Sequence, residues 1–249
     1  MTSIAMERSR TLRRHFASEL VGVPVVLAVL MVGTGVVVGL VAILGSGDIR
    51  VSGWEAASQV ARWYAGTVGV YATAVHLPLY IAHGFTRREF LGRLPLFLVG
   101  FAATFAVFMT LGYFLEGAIY DAFGWEHGLN ESHLYATPDS YGPIWIEYAL
   151  IGAVWSAAGT FIGGAFYRQP FLGLLLVPVA ISMIGLVEVS AGPGYVGPFT
   201  LLGNWSLLES LSDDPTAGAA TLATSVSVVA AMGLMWVVAK DLPIRTRKG

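Results

Sequence analysis

Five histidines and sixteen carboxylates are what this chain has for acid–base or metal chemistry, since it contains no cysteine. That absence excludes disulfides, thiolate metal sites and a cysteine nucleophile. Glu126, His127, Glu131 and His133 have the residue types of a metal centre, but they fall in a polar stretch and read as a solvated loop. No His-Glu-x-x-His helix sets two histidines and a base on one face, and no Gly-x-Ser-x-Gly elbow presents a serine. There is no Gly-Lys pair, so the chain has no phosphate loop of its own. Enzyme chemistry is not indicated, no cofactor is expected on this chain, and nothing points to nucleic acid.

His76 and Glu188 are the ionisable residues most clearly inside apolar segments, where such groups are functional candidates by default. His76 sits about 10–12 Å from the end of its segment that leads to His83, at ~1.5 Å per residue. Its bland role is a neutral imidazole bonded to a hydroxyl, or to a carbonyl that Pro78 leaves without a donor. Glu188 lies beside Gly192-Pro193, close enough to the end of its segment to reach the membrane interface.

The segments that must position these groups are long and apolar. Of 249 residues 55% are hydrophobic and 12% charged, about half the charge of a soluble domain, which makes this a membrane protein. The expected fold is all-α, a single polytopic domain over 1–249. Residues 1–20 form a basic interfacial helix (Arg8, Arg10, Arg13, Arg14, with Leu12, Phe16 and Leu20 four apart). Six spans follow, at about 21–44, 61–82, 94–115, 144–166, 171–189 and 217–239. Gly35 and Gly39, and again Gly159 and Gly163, have the spacing that lets helix backbones approach closely. A Gly/Pro-rich section, 191–215, reads as a half-inserted or interfacial segment.

Basic residues fix the expected orientation. Arg8, Arg10, Arg13, Arg14, Arg87, Arg88, Arg93, Arg168, Lys240, Arg245, Arg247 and Lys248 fall on one side, twelve of the fourteen, leaving Arg50 and Arg62 on the other. This places both termini in the cytoplasm of a cell-membrane protein. Section 116–143 is outside, with acids but no lysine or arginine, and Trp54, Trp63, Trp125, Trp145 and Trp205 form an outer belt.

Between the second and third spans lies a charged island, His83-Gly84-Phe85-Thr86-Arg87-Arg88-Glu89-Phe90-Leu91-Gly92-Arg93. Its charges must sit at the membrane surface, with Phe85 and Phe90 on one face and Arg87, Arg88 and Glu89 toward water. Pro95 suits the first turn of the next helix. This Gly-x-Thr-Arg-Arg-x-Phe stretch resembles the one after the second span of export-type ATP-binding-cassette permeases. Gly159 to Arg168 is similar to the end of their fourth span, although Gln169-Pro170 departs from the arginine-rich turn expected there.

The resemblance implies that Gly84, Phe85, Thr86, Arg87, Arg88, Glu89 and Phe90 form a short coupling helix that docks on a separate ATPase subunit. ATP would then bind on that partner, and a second permease copy or a homologous permease would complete the pore. Two other readings stay open: a multi-pass assembly protein whose island only sets topology, and an ion-coupled carrier, which the scarcity of charges inside spans weakens.

Overall fold

The computed structural model describes residues 22, 24–26, 28–30, 32–37, 40, 50–130, 132–192 and 215–240. The expected interfacial helix at 1–20, Gly39, most of 191–215 and the basic tail beyond Lys240 lie outside them. Every regular element among the described residues is helical: α1 Gly53–Tyr71, a π-helical segment Ala72–His76, α2 Leu77–Ala82, α3 Arg87–Phe123, α4 Tyr141–Arg168, α5 Pro170–Ala191 and α6 Ala217–Ala239. The first three run on as one 30-residue helix, and among the described residues five helices are long and apolar enough to cross a membrane. Large apolar side chains such as Leu96, Phe171 and Val229 are exposed around them, compatible with a multi-pass membrane protein whose outer surface faces lipid. The described residues from 22 to 40 are helical as well.

α4 is the hub. It packs on α1, α3, α5 and α6, and small residues let it do so. A Cβ on Gly159 would strike the Gly66 carbonyl and approach the Val70 amide, and one on Gly163 would lie 2.6 Å from Thr73 Oγ1. The α1–α4 contact is therefore backbone against backbone. The Thr73 hydroxyl donates to the Thr160 carbonyl at 2.7 Å across it. Gly35 makes no such contact, since a Cβ there would meet nothing within 4 Å.

Two helices start or end where composition did not place them. α1 begins at Gly53 rather than near Ala61, because Ser52 caps it and the Glu116 carboxylate accepts from Trp54 N at 2.8 Å. A carboxylate at the positive end of the helix dipole stabilises that start. α3 is one 37-residue helix, so Arg87 to Arg93 of the island are its first turns, after the turn at 83–86, rather than a separate short helix. Pro95 accordingly sits inside α3 and not in a first turn. α3 also runs past Glu116 to Phe123, and ends only where Gly124 turns left-handed with φ 68°. The π-helical segment directly precedes Leu77-Pro78, where proline has no N–H to donate to the preceding turn.

Candidate functional site

The chain section from Gly124 to Ser140 does not stay in solvent. The Gly128 amide donates to the Arg50 carbonyl at 3.2 Å and the Ser52 amide to the Gly128 carbonyl at 2.9 Å, which turns the section back over the start of α1. His127 Nε2 meets Glu116 Oε2 at 3.0 Å, and Ser52 Oγ donates to that same oxygen. Glu116 thus ties α3, the loop and the start of α1 together.

Deeper in, His133 lies between two carboxylates. Its Nδ1 meets Glu147 Oε1 at 2.8 Å and its Nε2 meets Glu55 Oε1 at 3.2 Å, with its side chain 1% exposed. The ring stacks on Tyr135 at 4.4 Å and 17°. The Tyr135 hydroxyl donates to Tyr113 Oη at 2.9 Å, and Tyr113 and Tyr148 pair at 3.2 Å. Burial alone would push His133 down, but the hydrogen bonds and charges of Glu147 and Glu55 outweigh it and raise the ring to about 9. Burial also raises the Tyr135 hydroxyl, so it stays a neutral donor. Both histidines that composition assigned to a solvated loop are therefore bound to carboxylates. They serve different ones; Glu131 lies outside the described residues. Among the described residues no group of three or more His, Asp or Glu is arranged to hold a metal ion.

Beneath this lies a second charged group. Arg62 Nη1 donates to Glu188 Oε2 at 2.7 Å, with both side chains nearly fully buried, and Trp155 Nε1 donates to Glu188 Oε1 at 2.7 Å. Arg62 Nη2 reaches Ser58 Oγ at 3.4 Å, while its Nε finds no hydrogen-bond partner. Glu188 does not reach an interface, and Arg62 is not an outer flanking charge: the two are a buried ion pair joining α1 to α5. A lone charge in such a place would be prohibitive. Glu55, Arg62, Glu116, Glu147 and Glu188 are all buried in helices, more ionisable groups than the His76 and Glu188 singled out from composition.

The other expected site residues lie elsewhere. His76 is buried in the π-helical segment, edge-on to Tyr71 at 4.8 Å and Tyr80 at 6.4 Å. It borders a cavity of about 220 Å³ walled by Tyr64, Tyr71, Phe97 and Phe101. It is fourteen residues beyond Arg62 on one continuous helix, about 21 Å away, and takes no part in the charged cluster. Trp54 is not in an interfacial belt; it is buried, with Nε1 donating to the Met109 carbonyl at 2.9 Å.

At the opposite end of α3, the Thr86 hydroxyl accepts from Glu89 N at 3.2 Å and Glu89 Oε2 accepts from Thr86 N at 2.8 Å, a complete capping box. Gly84, with φ 83°, makes the turn out of α2. Arg88 and Glu89 are exposed and Arg87 half-exposed, with Arg87 Nη1 reaching the Lys240 carbonyl at 3.4 Å. The aromatic residues behave otherwise than the amphipathic reading required. Phe90 is 3% exposed and packs on Tyr80 at 5.6 Å, and half-buried Phe85 packs on the same ring. Phe90 is turned into its own protein and cannot serve as an anchor in another chain.

No known family profile, curated protein or solved structure matches this chain.

Proposed function

We propose that this chain is the membrane-spanning permease subunit of an ATP-driven exporter whose ATPase is a separate polypeptide. In this reading it crosses the cell membrane six times with both termini in the cytoplasm. Residues 1–20 lie along the inner leaflet, and the chain acts as a pair with a second permease. It binds no cofactor itself; ATP stays on the partner.

One observation carries the proposal. A single helix, α3, starts at the capped basic ridge of Arg87 and Arg88 and reaches Glu116, which fastens α1 and the α3–α4 loop. Its 37 residues span about 55 Å, so the ridge and the polar cluster at the far end belong to one continuous helix. Docking then rests on the exposed arginines and Glu89, and not on Phe90.

The test is to purify the chain from native membranes in mild detergent and identify what comes with it. An ATPase bearing a phosphate loop should accompany the wild type and be lost from Arg88→Glu at unchanged membrane yield. Wild-type protein that repeatedly purifies without any ATPase would defeat the reading.

An ion-coupled carrier is the second reading, and the buried Glu55–His133–Glu147 and Arg62–Glu188 groups favour it, since proton relays are built from such side chains.

A further inference from the structure

We propose that His133 is a proton-binding site that latches the α3–α4 loop, so that lifting the loop releases one proton and reseating it takes one up. The inference concerns the loop and stands whichever way transport is energised.

Geometry comes first. Ionised carboxylates only accept, so Nδ1 on Glu147 and Nε2 on Glu55 are both satisfied only when the ring carries both protons. The remaining oxygens of the same two carboxylates accept loop amides: Asn130 N on Glu55 Oε2 at 2.8 Å, and Leu134 N on Glu147 Oε2 at 2.9 Å. Four hydrogen bonds from three loop residues, Asn130, His133 and Leu134, thus converge on one carboxylate of α1 and one of α4. Tyr135, stacked on the imidazole and bonded to Tyr113 of α3, closes the remaining side.

The charges around the ring come from every packed element. α1 supplies Glu55 and, deeper, Arg62; α4 supplies Glu147 and Tyr148; α3 supplies Tyr113; α5 supplies Glu188, whose charge also acts on His133. Arg62 is bonded to Glu188 and acts on Glu147 only from further off, whereas the His133 ring lies directly between Glu147 and Glu55. Removing the ring's extra proton while the loop is seated turns a ring lone pair onto a carboxylate, which breaks one side of the clamp.

The proton count follows. Seated, the ring is held protonated up to about 9. Lifted into water it returns to the ordinary value near ~6.5, and at neutral pH it gives its proton to solvent while the carboxylates stay ionised. Below about 6.5 both states hold the proton and the latch is tightest. From there to about 9 only the seated state holds it, so opening becomes about tenfold easier per pH unit.

Amide hydrogen exchange on the full chain in lipid nanodiscs, from pH 6 to 9.5, tests this once the intrinsic base-catalysed rate is divided out. Protection of the Asn130 and Leu134 amides should be level below about pH 6.5 and then fall about tenfold per unit toward pH 9. Interior amides of α4 should keep theirs throughout. His133→Asn should show weak, pH-independent protection at the same two amides. Glu55→Gln keeps an acceptor but removes a charge, so its fall should end at a lower pH. A wild-type profile that is flat with pH, or a slope that survives in His133→Asn, would overturn the proposal.

Discussion

The two ends of α3 handle charge in opposite ways. At Arg87 the charges are left at the surface, and the bonds that shape the helix start are local: Thr86 and Glu89, three residues apart, cap each other. At Glu116 the charges are buried, and the partners that join separate helices come from far along the chain: Ser52 lies 64 residues from Glu116, His133 78 from Glu55, and Arg62 126 from Glu188. A membrane helix can leave an ionisable group at its end, in contact with water, or bury it beside a compensating charge. This chain does the first at one end and the second at the other. The first end presents Arg88 and Glu89 at the surface, while the buried end holds the bundle together.

The largest effect should come from splitting the deepest pair. Arg62→Met leaves the Glu188 carboxylate with only Trp155 as a donor, in a site with almost no water. The expected loss is about 3–5 kcal/mol, read as a fall in melting temperature of the detergent-solubilised protein. Adding Glu188→Leu removes the orphaned charge and should recover most of that loss. If the double variant is no more stable than the single one, the cost lies in lost packing around Arg62 and not in an uncompensated charge.

The α1–α4 contact comes next. Gly159→Leu forces a side chain into the Gly66 carbonyl and the Val70 amide, and overpacking of a close contact costs about 1–3 kcal/mol or more. Yield of monodisperse protein and melting temperature should both drop. The same change at Gly35, where a Cβ meets nothing within 4 Å, should leave both unaltered. Equal effects at the two glycines would mean that the α1–α4 contact has no special tightness.

The difference between the ends also explains what could be read from composition. All-helical architecture, the exposed arginine ridge and the α4 glycine spacing depend on residues within a few positions of each other, and such patterns are visible in one dimension. The buried cluster is not. Glu147 falls within the expected fourth span and Glu116 at the edge of the third, but a single acid near a span end looks interfacial until its partner is known. A usable signal was nonetheless there: section 116–143 holds acids and two histidines but no lysine or arginine, so any acid buried with it had only histidine to supply a nearby positive charge. Phe90 misled for the converse reason. A helical face defined by charge on one side leaves open whether its aromatic side meets a partner or its own core, and Tyr80 decides for the core.

The smallest effect on stability should come from the ridge itself, and its sign is informative. Arg87 and Arg88 occupy the first two positions of α3, the positive end of the helix dipole, where a cation disfavours the helix. Two arginines there do not serve the fold, whereas Thr86 does. Thr86→Ala removes the acceptor for Glu89 N and should cost about 1 kcal/mol, seen as faster amide exchange at Glu89 and Phe90 and little change in global melting. Arg88→Glu replaces a disfavoured charge with a favoured one and should stabilise the same turn by about 0.3–1 kcal/mol, slowing exchange there. If the ridge docks an ATPase, that better-ordered variant should still lose its partner, because the glutamate turns an attraction into a repulsion. Loss of order and of partner together would make the arginines structural; gain of order with loss of partner makes them a docking surface.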